Sequence, residues 1–301
     1  MIIEKPINGI SINVAGIHVT FRSNDKSIKF DFNSTAKHFI NSVKLTTAGF
    51  NSTIYRSKVE SFPNWKVILQ GKPWNQALMN YKWVVSQHNN DYGIFIEFEE
   101  HEQIESMFVA IYKKLNQIEI FIDSDKKEVE FDPFLYPFGV LLYVYLVHFH
   151  NGLIIHASGV NDAEKGYLFT GLSGIGKSTM AGLWHRNGAT VINDDRLVLL
   201  PENERYHMHN TPMVYYEDYP KKCGLSNIFI LNQAKNNYCR QIEGSQAFTQ
   251  VLSNCIQHLH TQRMVLGHMD IVDHILNSVP VYELGFYPDD NIVEFIRNLN
   301  R

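Results

Sequence analysis

The chain has 301 residues, a formal charge of −4 at neutral pH and 45% hydrophobic residues, enough apolar material for one large domain or two ordinary ones. The mildly acidic balance, with no long basic run and no RNA-binding aromatic motif, gives no reason to expect a nucleic-acid partner, and none is expected. Cys223, Cys239 and Cys255 are odd in number and widely spaced, which argues against a disulfide framework and fits a reducing, cytoplasmic compartment.

The start, MIIEKPINGISINVAGI, lacks a basic segment followed by an apolar core, so no signal peptide is expected. Through residues 1–130 the stretches GISINVAGIHVTF, KWVVSQ, YGIFIEFE, MFVAIYKK, IEIFIDSD and KEVEFD mix aromatic and β-branched residues with polar breaks. They predict short strands in an antiparallel sheet. Residues 36–47 read equally as a loop or a short helix. The apolar run 134–149 predicts a buried helix and falls short of the roughly 20 residues that span a bilayer. No membrane association is expected. Beyond it, GLIIHASGV and GYLFT predict strands, 178–187 a helix, and ATVINDDRLVLL a strand ending in paired acids. SNIFIL and 281–287 predict further strands, and 245–258 and 289–299 helices. This alternation predicts an α/β nucleotide-binding domain over 131–301, preceded by a β-rich region of unknown role over 1–130 (α+β overall).

Between GYLFT and the next helix lies GLSGIGKS, residues 171–178, in the strand–loop–helix context of a phosphate-binding P-loop, the Walker A pattern. Gly171, Gly174 and Gly176 allow tight backbone turns and close approach of a ligand. The N–H groups of Leu172, Ser173, Ile175 and their neighbours through Thr179 are then available to phosphates. The helix start adds a favourable dipole. Lys177 supplies a positive charge near the terminal phosphates, and the Ser178 hydroxyl suits Mg²⁺. ATP, or another nucleoside triphosphate, with Mg²⁺ is therefore the expected ligand.

Asp194 and Asp195 follow the apolar run Thr190, Val191, Ile192 and lie 16 and 17 residues beyond Ser178, room for a helix and a return strand. One carboxylate can orient Mg²⁺ while the other accepts a proton from an acceptor hydroxyl. His156 ends the apolar Leu153, Ile154, Ile155 and lies 15 residues before Gly171. A parallel neighbouring strand would place it beside the loop, to bind phosphate, orient Asp194 or shuttle a proton. It reads equally as a structural histidine. Arg196 either clamps phosphate or pairs with the acids. His148 and His150 fit a helix end better than a metal site with His156. His207 and His209 alternate onto one face of YHMHN without a third ligand, and His258 with His260 has the same weakness. Tyr215 and Tyr216 line a pocket or pack a loop. Trp184, on the helix after the loop, reads as core, and Trp65, Trp74 and Trp83 make no regular stacking pattern with it.

The segments HASGV, GYLFTGLSGIGKSTMAG and GATVINDDRLVLL resemble the catalytic domain of the HPr kinase/phosphorylase family, over about residues 152–200 and, more weakly, to the end of the chain. The same core resembles the nucleotide core of ATP-dependent phosphoenolpyruvate carboxykinases. The resemblance implies that His156 is an active-site histidine, Asp194 the catalytic base, Ser178 a metal ligand and Asp195 the acid supporting the metal. It also implies homo-oligomerisation. The family's later Glu-Ile-Arg-Gly-type segment is not found; the nearest acids are Glu217 and Asp218. The expected activity is Mg-ATP-dependent transfer of the γ-phosphoryl group to a hydroxyl on a protein, peptide or metabolite. The alternatives are an NTPase, phosphorylase or pyrophosphate-using chemistry, and a nucleotide-binding regulatory module with little turnover.

Overall fold

The structure, a computed structural model, describes residues 8–30, 37–40, 49–59, 64–71, 81–212, 219–257 and 261–299. Trp74, Tyr215, Tyr216, Glu217, Asp218, His258 and His260 lie outside the described residues. The chain is a mixed α/β fold with a β-rich N-terminal region and a helix-containing C-terminal region. The described residues group into two compact units. One comprises those of Met1–Tyr143 and Pro212–Tyr219, the other those of Val144–Thr211 and Pro220–Arg301.

The first unit carries β1 (Asn8–Val14), β2 (Ile17–Ser23), β3 (Ile28–Phe30), β4 (Phe50–Arg56), β5 (Lys66–Gly71), β6 (Tyr81–His88), β7 (Asp91–Phe98), β8 (Ser106–Tyr112), β9 (Gln117–Asp123) and β10 (Val129–Phe131). Eight of these form one sheet in the order β1-β2-β4-β9-β8-β7-β6-β5. The expected purely antiparallel sheet is instead mixed, because β4 pairs parallel with both β2 and β9. Parallel pairing requires a strand to return by a crossover rather than a hairpin, a long-range choice that local alternation does not encode. Within 36–47, the described part is a single 3₁₀ turn, Lys37–Phe39, and the bridge residue Ile40. One face of the sheet is apolar: Ile94, Ile96, Val109, Ile120 and Ile122 alternate inward and are fully buried.

Helix α1 (Phe138–Phe149) follows. It starts four residues later than expected, directly after Pro137, since proline serves best at the start of a helix. In the second unit come β11 (Leu153–Asp162), β12 (Lys165–Thr170), α2 (Lys177–Arg186), β13 (Thr190–Asn193), β14 (Arg196–Glu202), β15 (Arg205–Asn210) and β16 (Lys222–Gln233). Then come β17 (Tyr238–Ile242), α3 (Gly244–Leu252), β18 (Cys255–Ile256), α4 (Gln262–Ser278), β19 (Val281–Phe286) and α5 (Asn291–Leu299). The sheet order is β12-β11-β14-β15-β16-β19-β17, and β12 also pairs with β16, so the first five form a closed circuit of hydrogen-bonded neighbours. One core layer sets Leu168, Ile228 and Ile230 against Val251 of α3 and Val272 and Ile275 of α4. The other sets Phe169, Phe229 and Phe286 against Trp184 of α2 and Ile292 and Ile296 of α5.

Three further expectations are corrected. The run 189–200 is two strands, with Asp194 and Asp195 at the bend between them. The helix expected over 245–258 stops at Leu252, because Cys255 and Ile256 pair with Ile155 and Ile154 of β11, and an open strand edge outweighs local helix propensity. The neighbours β11 and β12 run antiparallel, not parallel.

Candidate functional site

Strand β12 delivers the chain into the 171–178 loop, and α2 leaves it. Gly171, Gly174 and Gly176 have φ of +146°, +78° and +116°, backbone that a side chain rarely adopts. At Gly176 a Cβ would lie 2.7 Å from the Phe286 ring, so β19 also requires glycine there. Gly176 caps α2, whose first intrahelical bond runs from Met180 N–H to the Gly176 carbonyl. The N–H groups of Lys177, Ser178 and Thr179 thus belong to the first turn, which has no intrahelical acceptors. Leu172, Ser173, Gly174, Ser178 and Thr179 are exposed; Ile175 is half-buried.

Lys177 is buried, and its Nζ donates to the carbonyls of Gly171 and Leu172, each at 3.1 Å. Burial holds its ammonium below the usual lysine range, with Asp195 acting in the opposite direction. The ammonium is therefore folded back over the mouth of its own loop. Its backbone is anchored too: the fully buried Ser158 of β11 donates its hydroxyl to the Lys177 carbonyl at 2.9 Å.

Strands β12 and β13 pair with the same stretch of β11, so they occupy its opposite edges. The loop and the acidic bend therefore flank one strand. Asn193 is buried and shapes the bend: its Oδ1 accepts the N–H of Asp194 at 2.7 Å and of Asp195 at 3.1 Å. Such local caps are characteristic of Asn. Ala157 N–H binds the Asp195 carbonyl, and His156 lies opposite Arg196 in the ladder. The side chains follow: His156 Nε2 lies 3.4 Å from Asp195 Oδ1, and Arg196 Nε lies 3.3 Å from Asp195 Oδ2. The Thr170 hydroxyl donates to the His156 carbonyl at 2.8 Å, linking the last residue before the loop to the histidine.

Burial first, then the charge of Lys177, depresses the His156 pKa below 6.5, while Asp195 opposes them. The ring is accordingly neutral at neutral pH. His156, Lys177, Asp195 and Arg196 thus form one electrostatic group. The sequence missed Asn193, Ser158 and Thr170. Asn193 carried a local signal, as an Asx residue before two acids, whereas Ser158 and Thr170 act only across strands.

The remaining candidates lie elsewhere. His148 stacks on His268 of α4, ring centres 6.2 Å apart, and His150 Nδ1 sits 2.7 Å from the Leu146 carbonyl. His209 Nε2 lies 3.3 Å from Glu202 Oε1, while Glu202 Oε2 pairs with Lys222. Among the described residues, no three His, Cys, Asp or Glu side chains are placed to hold a metal by themselves. Magnesium, however, characteristically takes one or two protein oxygens and completes its shell with substrate phosphates. The exposed Ser178 hydroxyl and a carboxyl from the acidic bend are a donor set of that kind. Among the described residues no helix is long and apolar enough to cross a membrane.

No protein-family model and no curated protein matches the chain. Among solved structures, the Hpr(Ser) kinase/phosphatase from Coxiella burnetii is matched at 14% identity with a TM-score of 0.31, covering 49% of this chain and 95% of that one. The chain bears a weak, partial structural resemblance to that fold.

Proposed function

We propose that the chain is a Mg-ATP-dependent phosphotransferase that moves a γ-phosphoryl group to a hydroxyl acceptor on a protein, peptide or small metabolite. The observation that carries this reading is the pairing of two features on opposite edges of β11: a loop with three left-handed glycines that buries Lys177, and a bend presenting Asp194 and Asp195 beside His156. The loop's N–H groups and Lys177 hold the phosphates. The Ser178 hydroxyl and Asp195 hold Mg²⁺, which when bound neutralises charge on the phosphates. Asp194 takes the proton of the acceptor hydroxyl as the acceptor oxygen bonds to the γ-phosphorus. The bond to the β–γ bridging oxygen breaks and ADP leaves. Neutral His156 orients the acidic pair through Asp195.

Asp195 is engaged by both His156 and Arg196. That engagement favours one second reading, a nucleotide-binding module with little turnover.

Phosphorus NMR of the protein with MgATP, with and without a pool of cellular metabolites and peptides, tests both. A new phosphomonoester signal that disappears in Lys177→Ala and Asp194→Asn is expected. Asp194→Asn should still bind MgATP within a few-fold of the parent. ADP and inorganic phosphate alone would point to hydrolysis. Unchanged ATP despite tight binding would overturn the transferase in favour of the module.

A further inference from the structure

His156 lies on β11, and Asp195 and Arg196 lie across it from the loop. On the other side of the loop, β12, β16 and β19 run parallel as neighbours, with Thr170 opposite Ile230 and Gln233 opposite Phe286. β16 and β19 continue three residues past the level of Thr170, so their carboxyl ends flank the loop, the place at which α/β sheets hold ligands. Three side chains there are open. Leu172, in the loop, is 80% exposed and Tyr287, directly after β19, is 53% exposed. Gln233, the last residue of β16, is exposed and donates its amide to the Ile175 carbonyl of the loop at 3.4 Å.

Tyr287 is held in place although its ring is open. Its N–H donates to Asn237 Oδ1 and its carbonyl accepts the Asp289 N–H, both at 2.8 Å. Its neighbour Phe286 is buried against Gly176 of the loop. An exposed aromatic ring at the carboxyl end of β19, on a backbone held at both N–H and carbonyl, is a stacking platform whose backbone entropy is already lost.

We propose that Tyr287, with Leu172 and Gln233, forms the nucleoside subsite, the tyrosine ring stacking on the base. This inference rests on the nucleotide reading above and gives it a direction. The triphosphate ends toward β11, His156 and the acidic bend, and the base lies over the ends of β16 and β19. Leu172 supplies a second apolar surface, and the Gln233 amide faces the polar edge of the base or ribose.

The test is calorimetric binding of Mg-ATP and of Mg-tripolyphosphate, which has no base, to the full chain and to Tyr287→Ala, Tyr287→Phe and Lys177→Ala. Tyr287→Ala should weaken Mg-ATP about tenfold, the size of one lost stacking partner. It should leave tripolyphosphate unchanged, and Tyr287→Phe should match the parent. Equal Mg-ATP affinity in the parent and Tyr287→Ala overturns the subsite. So does equal weakening of both ligands, or a parent that binds tripolyphosphate as tightly as Mg-ATP. In all three cases phosphate binding stands. A parent that binds neither ligand, or a Lys177→Ala that changes neither, overturns the nucleotide reading and the subsite with it.

Discussion

Gly176 and Gly174 show how differently two glycines of one loop are constrained. At Gly176 the backbone has φ +116° and a methyl would strike the Phe286 ring at 2.7 Å; at Gly174 φ is +78° and the space is open. Gly176→Ala should cost about 1–3 kcal/mol from backbone strain and overpacking combined. Gly174→Ala should cost about 1 kcal/mol, from the left-handed conformation alone. Urea unfolding curves of the two variants check the order; equal midpoints would show that Phe286 yields freely. The glycines and Lys177 were legible in the sequence because their spacing is the motif. Asn193, Ser158 and Thr170 were not, because each acts through one hydrogen bond whose partner is set by the fold, and a lone Ser or Thr in a strand signals nothing.

At the scale of elements, α5 is tied to the helix that carries Lys177. Arg297 Nε and Nη2 donate to the Asp162 carboxylate at 2.9 and 2.7 Å, and Nη2 also reaches the Asn187 carbonyl at the end of α2, at 3.0 Å. Its guanidinium carbon lies 5.5 Å from the ring centre of Trp184. Arg297→Ala should destabilise the protein by about 1.5–3 kcal/mol, the range for hydrogen bonds to charged groups. Arg297→Lys should recover little of it, because an ammonium cannot reproduce the planar fork or the stacking. Denaturant titration distinguishes the two, and full rescue by lysine would reduce the contact to simple charge pairing. Trp184→Ala, which empties a fully buried site, should cost about 3–5 kcal/mol. Elements were legible unevenly. The strands of GISINVAGIHVTF and GYLFT were clear from alternation or apolar runs beside turns. The 17-residue α4 was missed although Met264, His268, Ile271, Val272 and Ile275 mark one helical face and the Thr261 hydroxyl accepts the Met264 N–H as its N-cap. A histidine within the apolar stripe and Gly267 beside it obscure the period.

At the scale of the whole molecule, acid stability follows from buried histidines. Burial pushes His209 and His268 down to about 4, so between pH 6.5 and 4 the unfolded chain takes up protons that the folded chain refuses. Stability is therefore full above about pH 6.5 and falls as pH drops toward 4. The melting temperature should be flat from pH 8 to 7 and decline below 6.5. His268→Met should flatten part of that decline; an unchanged slope would place the acid sensitivity elsewhere. Under the proposed function, MgATP at about 100 times its dissociation constant should add about 2.7 kcal/mol of stability. Calorimetric scans should show that shift in the parent and not in Lys177→Ala.

By itself the sequence determined the β-rich N-terminal region, the helix-containing C-terminal region and a glycine-rich loop flanked by strand and helix. These are written in nearest-neighbour patterns: alternation, apolar runs, and glycine where backbone must turn left-handed. Only the tertiary structure decided that β4 pairs parallel with β2 and β9, and that β12 and β16 close a circuit of strands. It also decided among the alternatives open to His156 and Arg196, setting both against Asp195. Pairing partners and register are chosen by which edges and apolar faces remain to be covered once the other elements are in place. That choice depends on residues far apart in the chain, so no local window contains it.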